Sequence, residues 1–573
     1  MKKYKTRPIM TDIQKNALGT YPDLLTRLLF HRGIVDHKTA EDFLNPDYEK
    51  HTHNPFLLKD AEKSAERIIK AIEDNEKVVI YSDYDTDGIP AGVALHDLFK
   101  KIGFKNFINY IPHRHDEGFG LNEDAIRQFI EDKVQLLITI DCGIADIGYV
   151  KLAQENGIDV IITDHHLPGS ELPTAFAIVN PKQADCKYPE KMLCGAGVIY
   201  KLIQAILSKN RFGIKEGWEK WLLDMVGIAT LSDMVPLTGE NRVFAYYGLS
   251  VLRKSPRKGL MRLLNKLNIN QRYLTEDDIG FTIGPRINAA SRMGVPMDAF
   301  LLLATQDDNE AEHFAIHLDH INNERKGTVA GLVKEVKHHI RERYGEKPER
   351  VVVIGNPLWK PALLGLAANT CAEEYCVPVF LWGRDGDNII KGSCRAAGTV
   401  HLVELMQAVP EGVFSQFGGH AESGGFSVHS NSIHTLEDKL NNVFDKIKNK
   451  KKEEIEYVDS ELNPEDVNYD TYRQIERLAP FGTGNPKPLF IFKDVLVSNV
   501  KRFGKEGNHL EILVKSPDGK SVPAIGFFMS PEDFELKIDK KLIKGTIVSL
   551  IATMEKSLFR SRPELRLRIV DII

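Results

Sequence analysis

The sequence VVIYSDYDTDG, residues 78–88, and the sequence VIITDHH, residues 160–166, share one pattern. In each, aliphatic residues run into a polar loop, as in a buried parallel strand that ends at the edge of its sheet. Ligands of open α/β sheets bind beyond the carboxyl ends of such strands. The first loop carries three carboxylates, on Asp83, Asp85 and Asp87, which would repel one another without cations. The second loop adds a carboxylate and two imidazoles, so together they predict a mixed oxygen and nitrogen metal site.

The bulk properties indicate a large globular protein that is not globally basic. Its 573 residues exceed the ~250–300 at which single cores stop growing, which predicts two to four domains. The hydrophobic share of 42% and the charged share of 27% are ordinary for a globular protein. A net charge of −5 excludes a global basic excess, so nucleic-acid binding would need a local basic groove. Ordinary solubility is the simpler explanation of the weak acidity.

Six cysteines without a C-x-x-C pair do not make a disulfide framework in so long a chain. They predict free thiols in a reducing cytosol. Residues 1–14 lack the apolar segment of a secretory signal. No stretch approaches the ~18 uninterrupted apolar residues that would span a membrane. These features predict a cytoplasmic protein that does not contact membranes.

Strands and helices alternate in the first large domain. Such alternation predicts right-handed βαβ units and a mostly parallel sheet. The predicted strands are 77–82, 106–111, 136–140 and 160–163, and the predicted helices are 90–101, 122–132 and 145–156.

The rest of the chain predicts an α/β protein with three further parts. Residues 307–342 contain helix formers without proline, which predicts a long helix between domains. A second α/β segment begins at Arg350, and closely spaced short strands near the C-terminus predict a small β-barrel. The predicted parts are a helical N-terminal lead-in packed on the first domain (1–60), a first α/β domain (61–305), the connecting helix (306–345), a smaller α/β domain (346–450) and an OB-like barrel (455–573).

The acidic loop of residues 83–88 has two alternative interpretations. One is a solvated acidic turn, and the other is the opening of a calcium loop, D-x-D-x-D-G. A calcium loop requires Glu at its twelfth position, where this sequence has Ala94, so that interpretation fails. The three carboxylates occupy alternate positions, which an extended backbone places on one side. The spacing therefore favours a metal site.

Three further places carry candidate ligands, each with a simpler alternative. Asp141 follows an aliphatic strand, but it could equally cap a helix that begins at Ala145. Of the adjacent His165 and His166, one could bind a metal while the other faces a substrate phosphate, or both could be satisfied loop histidines. Asp233 follows an apolar helix, where capping is the default interpretation.

Carboxylates with imidazoles and no thiolate suit manganese or magnesium and give no reason to expect zinc. Two such ions, about 3.5–4 Å apart, stabilise both the attacking and the leaving oxygen of an in-line phosphoryl displacement. The sequence contains no Ser-His-Asp spacing, G-x-S-x-G elbow or Walker lysine loop that would indicate another mechanism. It therefore predicts a two-metal hydrolase.

Seven motifs resemble those of the DHH phosphoesterase superfamily and, within it, the RecJ single-stranded-DNA exonucleases. The motif at 417–426 resembles the DHH-associated domain, and the motif at 480–490 resembles the start of the RecJ nucleic-acid-binding barrel. In chain order they are DYDTDG at 83–88, DCG at 141–143, DHH at 164–166, SDMVPL at 232–237, GPRINAASR at 284–292, FGGHAESGGF at 417–426 and PFGTGNPKPLF at 480–490.

The resemblance implies a 5′→3′ exonuclease that hydrolyses single-stranded DNA to mononucleotides with two Mn²⁺ or Mg²⁺ ions. Recombination and repair, or service to a mobile element, is the implied process. Carried over by position, its functional residues fall into three groups. They are the metal ligands Asp83, Asp85, Asp87, Asp141 (bridging), His165 and Asp233; the catalytic residues His166 and Asp164; and the nucleic-acid contacts Arg286, Asn288, Arg292, Arg395 and His420.

Three positions depart from the family pattern, all outside the predicted metal site. Lys360 stands where a W-H-x-G-V-x-G motif has histidine, Cys394 interrupts a G-S-G-R-S motif, and Ser291 replaces a customary glycine. These departures bear on recognition of the DNA end, on the polarity of degradation or on its rate, rather than on hydrolysis itself. The expected partners are single-stranded DNA and a helicase or single-strand-binding protein, and the expected state is a monomer.

In this interpretation the DNA strand threads between the first two domains and the barrel feeds it in. Phe481 and Phe503, beside Lys501 and Arg502, are candidate base-stacking residues, whereas Phe490 is expected in the barrel core. Two alternatives remain. One is a DHH hydrolase of short oligonucleotides, cyclic dinucleotides or pyrophosphate, and the other is a nucleic-acid-binding scaffold with an inactive metal site.

Overall fold

Close packing divides the chain into two units, each described below by itself. The α/β unit comprises residues 53–233 and 247–452, and the barrel unit comprises residues 1–52, 234–246 and 453–573. The computed structural model describes residues 3–384, 389–447, 455–504, 507–516, 519–532, 534, 541–557 and 563–573.

The strands of the described residues are numbered in chain order. They are β1 Lys3–Thr6, β2 Val78–Ser82, β3 Phe107–Tyr110, β4 Leu136–Ile140, β5 Asp159–Thr163, β6 Ala177–Val179, β7 Val352–Gly355, β8 Val379–Arg384, β9 Ile389–Arg395, β10 Phe414–Gly419, β11 Ser423–His429, β12 Ile455–Val458, β13 Ser460–Glu461, β14 Phe490–Phe503, β15 His509–Lys515, β16 Ser521–Phe527, β17 Ile547–Ser557 and β18 Glu564–Ile572.

The α-helices are numbered in the same way. They are α1 Asp12–Leu18, α2 Asp23–Phe30, α3 His37–Leu44, α4 Tyr48–His51, α5 Ala61–Glu73, α6 Gly88–Ile102, α7 Glu123–Glu131, α8 Ile147–Glu155, α9 Gly195–Lys209, α10 Leu223–Ser232, α11 Gly239–Leu252, α12 Lys258–Lys266, α13 Glu276–Asp278, α14 Gly284–Met293, α15 Met297–Ala304, α16 Asp308–Tyr344, α17 Pro361–Tyr375, α18 Leu402–Gln407, α19 Ile433–Ile447 and α20 Tyr469–Glu476.

The first sheet of the α/β unit is five-stranded, in the order β3-β2-β4-β5-β6, and every neighbouring pair is parallel. Strands β2 and β4 are buried along their whole length, which explains their unbroken aliphatic sequences. The predicted parallel sheet is therefore confirmed. The short strand β6 adds an edge that the sequence did not predict.

The second sheet of this unit is mixed, in the order β10-β11-β9-β8-β7. Only β7 and β8 are parallel, and the other pairs are antiparallel. Helix α16 precedes it with 37 residues, and the Asp307 side chain caps its N-terminus by accepting from the amides of Asn309 and Glu310. The smaller α/β domain and the long helix before it are confirmed.

The barrel unit contains a closed barrel. Strand β14 pairs with β15 on one side and with β17 on the other, which closes the ring β14-β15-β16-β18-β17. A ring of five strands is the OB arrangement, so the predicted OB-like barrel is confirmed. Phe490 and Phe492 are fully buried in its core, as the sequence indicated for Phe490.

Residues 1–52 of the predicted lead-in group with the barrel and not with the first α/β domain, on which they were predicted to pack, whereas residues 53–60 belong to the α/β unit. Strand β1 pairs in parallel with β12, and Leu25 and Leu28 of α2 share one hydrophobic core with Phe490 and Val548 of the barrel. An amphipathic helix reveals that it has an apolar face but not which surface covers that face, so the sequence could not distinguish the two partners.

The motif at residues 284–292 is helical, although it contains a glycine and a proline, which often interrupt helices. It forms helix α14, which follows a π-helical turn at Ile279–Ile283. Pro285 lies in the first turn of α14, where a missing amide hydrogen leaves no helical hydrogen bond unmade. The proline therefore begins this helix rather than interrupting it.

Two simpler predictions can be compared with the structure. All six cysteines lie among the described residues and are free thiols, and five of them are buried. Within the part of the chain that the structure describes, no helix combines the length and the apolar character needed to cross a membrane.

Candidate metal centre and substrate cleft

The acidic side chains leave the first sheet at one level. Asp83, Asp141 and Asp164 directly follow β2, β4 and β5. Each amide continues the ladder by one bond: Asp83 donates to Ile140 O (3.0 Å), Asp141 to Thr163 O (2.9 Å) and Asp164 to Val179 O (3.1 Å). The three carboxylates therefore project from the carboxyl edge of the sheet, where ligands of α/β folds bind.

Seven side chains form three overlapping groups, and within each group the potential ligand atoms lie within 4.8 Å of one another. Asp141 and His165 each belong to two groups, as residues shared between two ions would. The groups are Asp83, Asp85 and Asp141; Asp87, His165 and Asp233; and Asp141, His165 and His166. The structure thus brings together all six residues that the sequence analysis named as ligands.

The loop of residues 83–88 is folded by its own hydrogen bonds. Oδ1 of Asp85 accepts from the amides of Asp87 (2.8 Å) and Gly88 (3.1 Å). A Cβ at position 88 would lie 2.6 Å from the carbonyl oxygen of Asp83, so only glycine fits this turn. The loop leads directly into α6. Asp83 and Asp87 are buried and Asp85 is partly buried, in contrast to a solvated acidic turn.

Asp141 does not cap a helix, so that alternative is wrong. Helix α8 begins at Ile147, and its N-terminal cap is Asp146. Asp141 has a φ of +61°, an uncommon conformation for a non-glycine residue that is found at functional sites. A Cβ at position 195 would lie 2.8 Å from the Asp141 Cβ, so Gly195 is needed beside it.

The N-terminus of α9 holds Asp87. Its Oδ2 accepts from the amide of Gly195 (2.5 Å) and its Oδ1 from the amide of Ala196 (2.8 Å). Free amides at a helix N-terminus bind anions, so they fix this carboxylate and favour its ionised form. This contribution was not predicted, although a run of small residues, Gly195-Ala196-Gly197, opens the helix.

Asp233 occupies the C-terminal cap position of α10. Carbonyl groups give this end of a helix a partial negative charge, so an additional carboxylate is unfavourable there unless a cation lies nearby. Burial, followed by the charges of Asp87 and Asp85, raises the pKa of Asp233 to about 8.

The other acidic groups show the same effect. Burial and the charge of Asp85 raise the pKa of Asp87 to about 7, and burial together with neighbouring carboxylates raises the pKa values of Asp83 and Asp141 well above the usual range. Oδ1 of Asp83 and Nδ1 of His165 are buried with no hydrogen-bond partner among the described residues. Divalent cations would supply both the missing charge and the missing partners, so these residues fit Mn²⁺ or Mg²⁺.

The two adjacent histidines have different environments. Burial and the charge of His166 lower the pKa of His165 to about 3, which keeps its imidazole neutral and able to ligate. For His166 burial acts in the same direction, but its hydrogen bond to Asp164 prevails and raises the pKa to about 9. His165 is buried, whereas the His166 side chain is 43% exposed and faces the cleft.

Asp164 is not part of any of the three ligand groups, because its oxygens are already engaged. Oδ1 accepts from the amides of His165 (2.7 Å) and His166 (3.0 Å) and contacts Nδ1 of His166 at 2.8 Å. Oδ2 accepts from the amide of Ile144 (3.1 Å). The structure thus places Asp164 where it orients His166 rather than where it would touch a substrate.

A cleft of about 260 Å³ opens over the carboxylates. Three residues of its lining, Tyr84, Arg114 and Phe119, were missed by the sequence analysis. The Arg114 guanidinium lies 4.8 Å from the centre of the Tyr84 ring, and Phe119 is half exposed with its ring 5.8 Å from that of His166. Arg114 and Phe119 lie in the charged stretch PHRHDEGFG, residues 112–120, and Tyr84 lies in the acidic loop itself, so each had a signal in the sequence.

The predicted nucleic-acid contacts fall in different places. Asn288 and Arg292 line the cleft, and Oδ1 of Asn288 accepts from the amide of Thr86, so this side chain also supports the acidic loop. Arg286 lies outside the cleft and pairs with Asp319 of α16 (2.8 Å). Arg395 donates to Ser393 Oγ and to the Cys394 carbonyl, and His420 is exposed in the turn after β10.

Positive charges gather around Arg292. Burial, followed by the charges of Arg114, Arg325 and Arg395, lowers the pKa of Arg292 to about 9, and the charge of Asp85 opposes this shift. Burial and the charge of Arg286 likewise lower the pKa of Arg325. Guanidinium groups held together in this way favour an anion among them, and a nucleic-acid backbone supplies one.

Comparison with known proteins gives matches over most of the chain. Residues 77–230 match the DHH family, N-terminal domain; residues 349–453 match the DHHA1 domain; and residues 458–571 match the RecJ OB domain. The single-stranded-DNA-specific exonuclease RecJ of Bacillus subtilis is 32% identical over 554 residues, which cover 96% of this chain and 67% of that protein.

Two solved structures resemble the fold. RecJ of Thermus thermophilus in complex with Mn²⁺ has a TM-score of 0.81 at 23% identity and covers 100% of this chain and 79% of that one. A second structure, of exonuclease RecJ bound to manganese, has a TM-score of 0.58 at 27% identity and covers 68% of this chain and 95% of that one.

Proposed function

Because this chain belongs to the RecJ family of DHH proteins, we propose that it is a metal-dependent exonuclease that hydrolyses phosphodiester bonds in single-stranded DNA. The observation that carries the proposal is the set of three overlapping carboxylate and imidazole groups at the floor of the cleft. Two Mn²⁺ or Mg²⁺ ions held there would supply Lewis-acid stabilisation of charge at the reacting phosphate.

The residues of the cleft then have separate tasks. Asp83, Asp85, Asp87, Asp141, His165 and Asp233 hold the ions, and His166, oriented by Asp164, faces the scissile phosphate. Arg114 and Arg292 attract the flanking phosphates, and the half-exposed ring of Phe119 offers a surface for a terminal base. Asn288 supports the acidic loop through its bond to the amide of Thr86, and the charge of Arg395 adds to the positive field around Arg292.

The barrel unit carries an aromatic cluster suited to single-stranded nucleic acid. Phe528 is 79% exposed, its ring packs edge-on against His509 at 4.8 Å, and the Arg568 guanidinium lies 4.0 Å from the centre of the Phe527 ring. Exposed rings beside guanidinium groups bind bases by stacking and phosphates by charge. Of the predicted stacking residues, Phe481 packs against the core and Arg502 pairs with Glu532, whereas the ring of Phe503 lies in this cluster, 5.1 Å from that of His509.

The finer features of the activity are part of the same proposal. We propose 5′→3′ polarity, mononucleotide products and a role in recombination and repair, all of which rest on family resemblance. A helicase or single-strand-binding protein as partner, the monomeric state and the cytoplasmic location stay predictions.

The test uses 5′-labelled and 3′-labelled single strands, a blunt duplex and a dinucleotide, each incubated with the full chain and Mn²⁺. We expect release of mononucleotides from the single strands only, with loss of the 5′ label first. Hydrolysis of the dinucleotide alone would favour the hydrolase of short substrates. Binding of the strands without any cleavage would favour the scaffold.

Asp141→Ala provides the control, because it removes a carboxylate from two of the three ligand groups. Cleavage that survives this substitution would come from a contaminating nuclease. The proposal requires that activity disappears in the variant while binding of single-stranded DNA persists.

A further inference from the structure

A buried arginine lies between two helices of the α/β unit, away from the cleft. The Arg257 side chain is 8% exposed and has a carboxylate on each side. Its Nε and Nη2 donate to Asp224 at 2.7 and 3.2 Å, and its Nη2 also lies 2.7 Å from Oδ2 of Asp97. Nη1 donates to the carbonyl of Leu303 at 3.1 Å, so the guanidinium is bound on every side.

Both carboxylates belong to helices that lead to proposed metal ligands. Asp97 lies on α6, which directly follows Asp87, and Asp224 lies in the first turn of α10, whose C-terminal cap is Asp233. At the other end of the same two helices, ligand atoms of Asp87 and Asp233 lie within 4.8 Å of each other. The helices therefore run antiparallel and are connected at two levels, by Arg257 at one and by the ligand group at the other.

The distance along the helix from the metal ligand to the carboxylate that binds Arg257 is nearly the same in α6 and α10. Asp97 is ten residues after Asp87, and Asp224 is nine residues before Asp233. At about 1.5 Å of rise per residue, each ligand lies roughly 14–15 Å along its helix from the Arg257 contacts. A shift of α10 along α6 would therefore carry Asp233 away from Asp87 by the same amount.

We propose that Arg257 is a positioning residue that fixes the register of α10 against α6 and thereby the separation of Asp87 and Asp233. The inference rests on the proposed metal centre and concerns one of its two ions. The ion held by Asp87, His165 and Asp233 depends on this register. The group of Asp83, Asp85 and Asp141 does not, because its members lie on the acidic loop and at the end of β4.

The chemistry of the guanidinium suits this task better than that of an ammonium. Arginine binds one carboxylate with two nitrogens in a fixed plane and still has donors for a second carboxylate and a carbonyl. Ser255 Oγ donates to Oδ2 of Asp224 at 2.7 Å, which fixes the same carboxylate from another side. Lysine at position 257 would keep the charge but lose the planar geometry that defines the register.

The experiment measures Mn²⁺ binding to metal-free protein by calorimetry and by electron paramagnetic resonance, independently of activity. The variants are Arg257→Lys and the milder Asp97→Asn, which leaves the pair of Arg257 and Asp224 in place. Asp233→Asn and Asp85→Asn identify the two sites, because each removes a ligand of one group only. We expect Arg257→Lys to weaken Mn²⁺ binding at least tenfold at the site of Asp87, His165 and Asp233, as Asp233→Asn does. Affinity at the site of Asp83, Asp85 and Asp141 should stay within twofold of wild type.

Arg67→Met is the matched control for a merely structural role. Arg67 is similarly buried between two carboxylates of the same unit, Glu76 (2.7 Å) and Asp159 (2.6 Å), but it lies on α5. The Arg67→Met substitution should lower the melting temperature and leave Mn²⁺ affinity at both sites unchanged.

Two outcomes would overturn the inference. One is unchanged affinity at both sites in Arg257→Lys and Asp97→Asn despite a loss of stability like that of Arg67→Met. The other is an equal loss at both sites. Absence of Mn²⁺ binding by the wild-type chain would instead contradict the metal centre itself, so the two failures are distinguishable.

Discussion

At the scale of single residues, His166 and Asp164 show how one motif divides its work. The motif placed three polar residues in a row, and the structure gives each a different set of partners: ligand groups for His165, the cleft for His166, and four hydrogen-bonding contacts for Asp164. Roles that depend on where a side chain points could not be read from adjacent positions in the sequence.

We expect His166→Gln to reduce kcat by about 10²–10³-fold, the usual cost of removing one group that stabilises charge at the reacting centre. Mn²⁺ stoichiometry should remain that of the wild type, because two of the three ligand groups do not include His166. Steady-state kinetics and calorimetry give the two readouts. Loss of an ion in this variant would assign His166 to the ligands instead.

His96 provides a test by pH that is independent of the metal centre. Burial lowers the pKa of this histidine to about 4, and its Nδ1 lies 2.8 Å from the side-chain amide nitrogen of Asn109. The fold therefore favours the neutral ring. Its contribution to the free energy of unfolding is fully present above the unfolded pKa of about 6.5 and is lost as pH falls toward 4.

Urea unfolding of wild type and His96→Gln at pH 7.5 and pH 4.5 measures this effect. We expect the free energy of unfolding of the wild type to fall by up to about 3 kcal/mol more than that of the variant between pH 7.5 and pH 4.5. An equal loss in both proteins would show that His96 is not the group responsible.

At the scale of elements, the N-terminus of α9 links the helix packing to the metal centre. Gly195 both donates to Asp87 and allows Asp141 to approach, and these two carboxylates come from different loops. Its position could not be anticipated, because a glycine near a helix start has many other uses.

We expect Gly195→Ala to weaken Mn²⁺ binding by about 10–100-fold, as for other changes in the residues that support metal ligands. The added Cβ would lie 2.8 Å from the Asp141 Cβ and would displace that carboxylate. Gly197→Ala is the control two residues away, since its Cβ would meet nothing closer than 3.4 Å. Calorimetric titration with Mn²⁺ compares the two variants, and equal affinities would exclude the proposed close approach.

The aromatic cluster of the barrel predicts a separate effect on binding. Phe528→Ala should reduce the affinity for a single strand by about 1–3 kcal/mol, the range for one base stacked on an aromatic ring. Ile547→Ala removes another exposed apolar side chain of the same barrel, 56% exposed on β17, and should have little effect. Fluorescence anisotropy with a labelled oligonucleotide provides the measurement. Similar losses in both variants would indicate a general effect on the barrel surface.

At the scale of the whole molecule, the order of elements was predictable but their grouping was not. The aliphatic runs before Asp83 and Asp164 indicated the parallel sheet, because strands buried on both faces have an unmistakable sequence. The carboxyl ends of neighbouring parallel strands meet at one edge, so the candidate ligands could be brought together from sequence. By contrast, no periodicity shows that Leu25 and Val548, more than 500 residues apart, share a core.

This shared core predicts how the barrel unit responds to truncation. Residues 455–573 expressed alone should not form a stable barrel, because Leu25, Leu28 and Leu29 would no longer cover its apolar surface. Fusion of residues 1–52 to this fragment through a flexible linker should improve its stability. Circular dichroism and thermal unfolding of the two proteins test this, and equal stability would show that the N-terminal segment is dispensable.

The packing of the N-terminal segment on the barrel also has a consequence for biosynthesis. At roughly 5–20 residues per second, a ribosome needs on the order of half a minute or more to travel from the codons of α2 to those of the barrel. Throughout that interval the leucines of α2 have been translated, but their binding partner does not yet exist. The apolar face of α2 therefore stays uncovered while several hundred further residues are synthesised. We expect chaperones near the exit tunnel to bind it during that time.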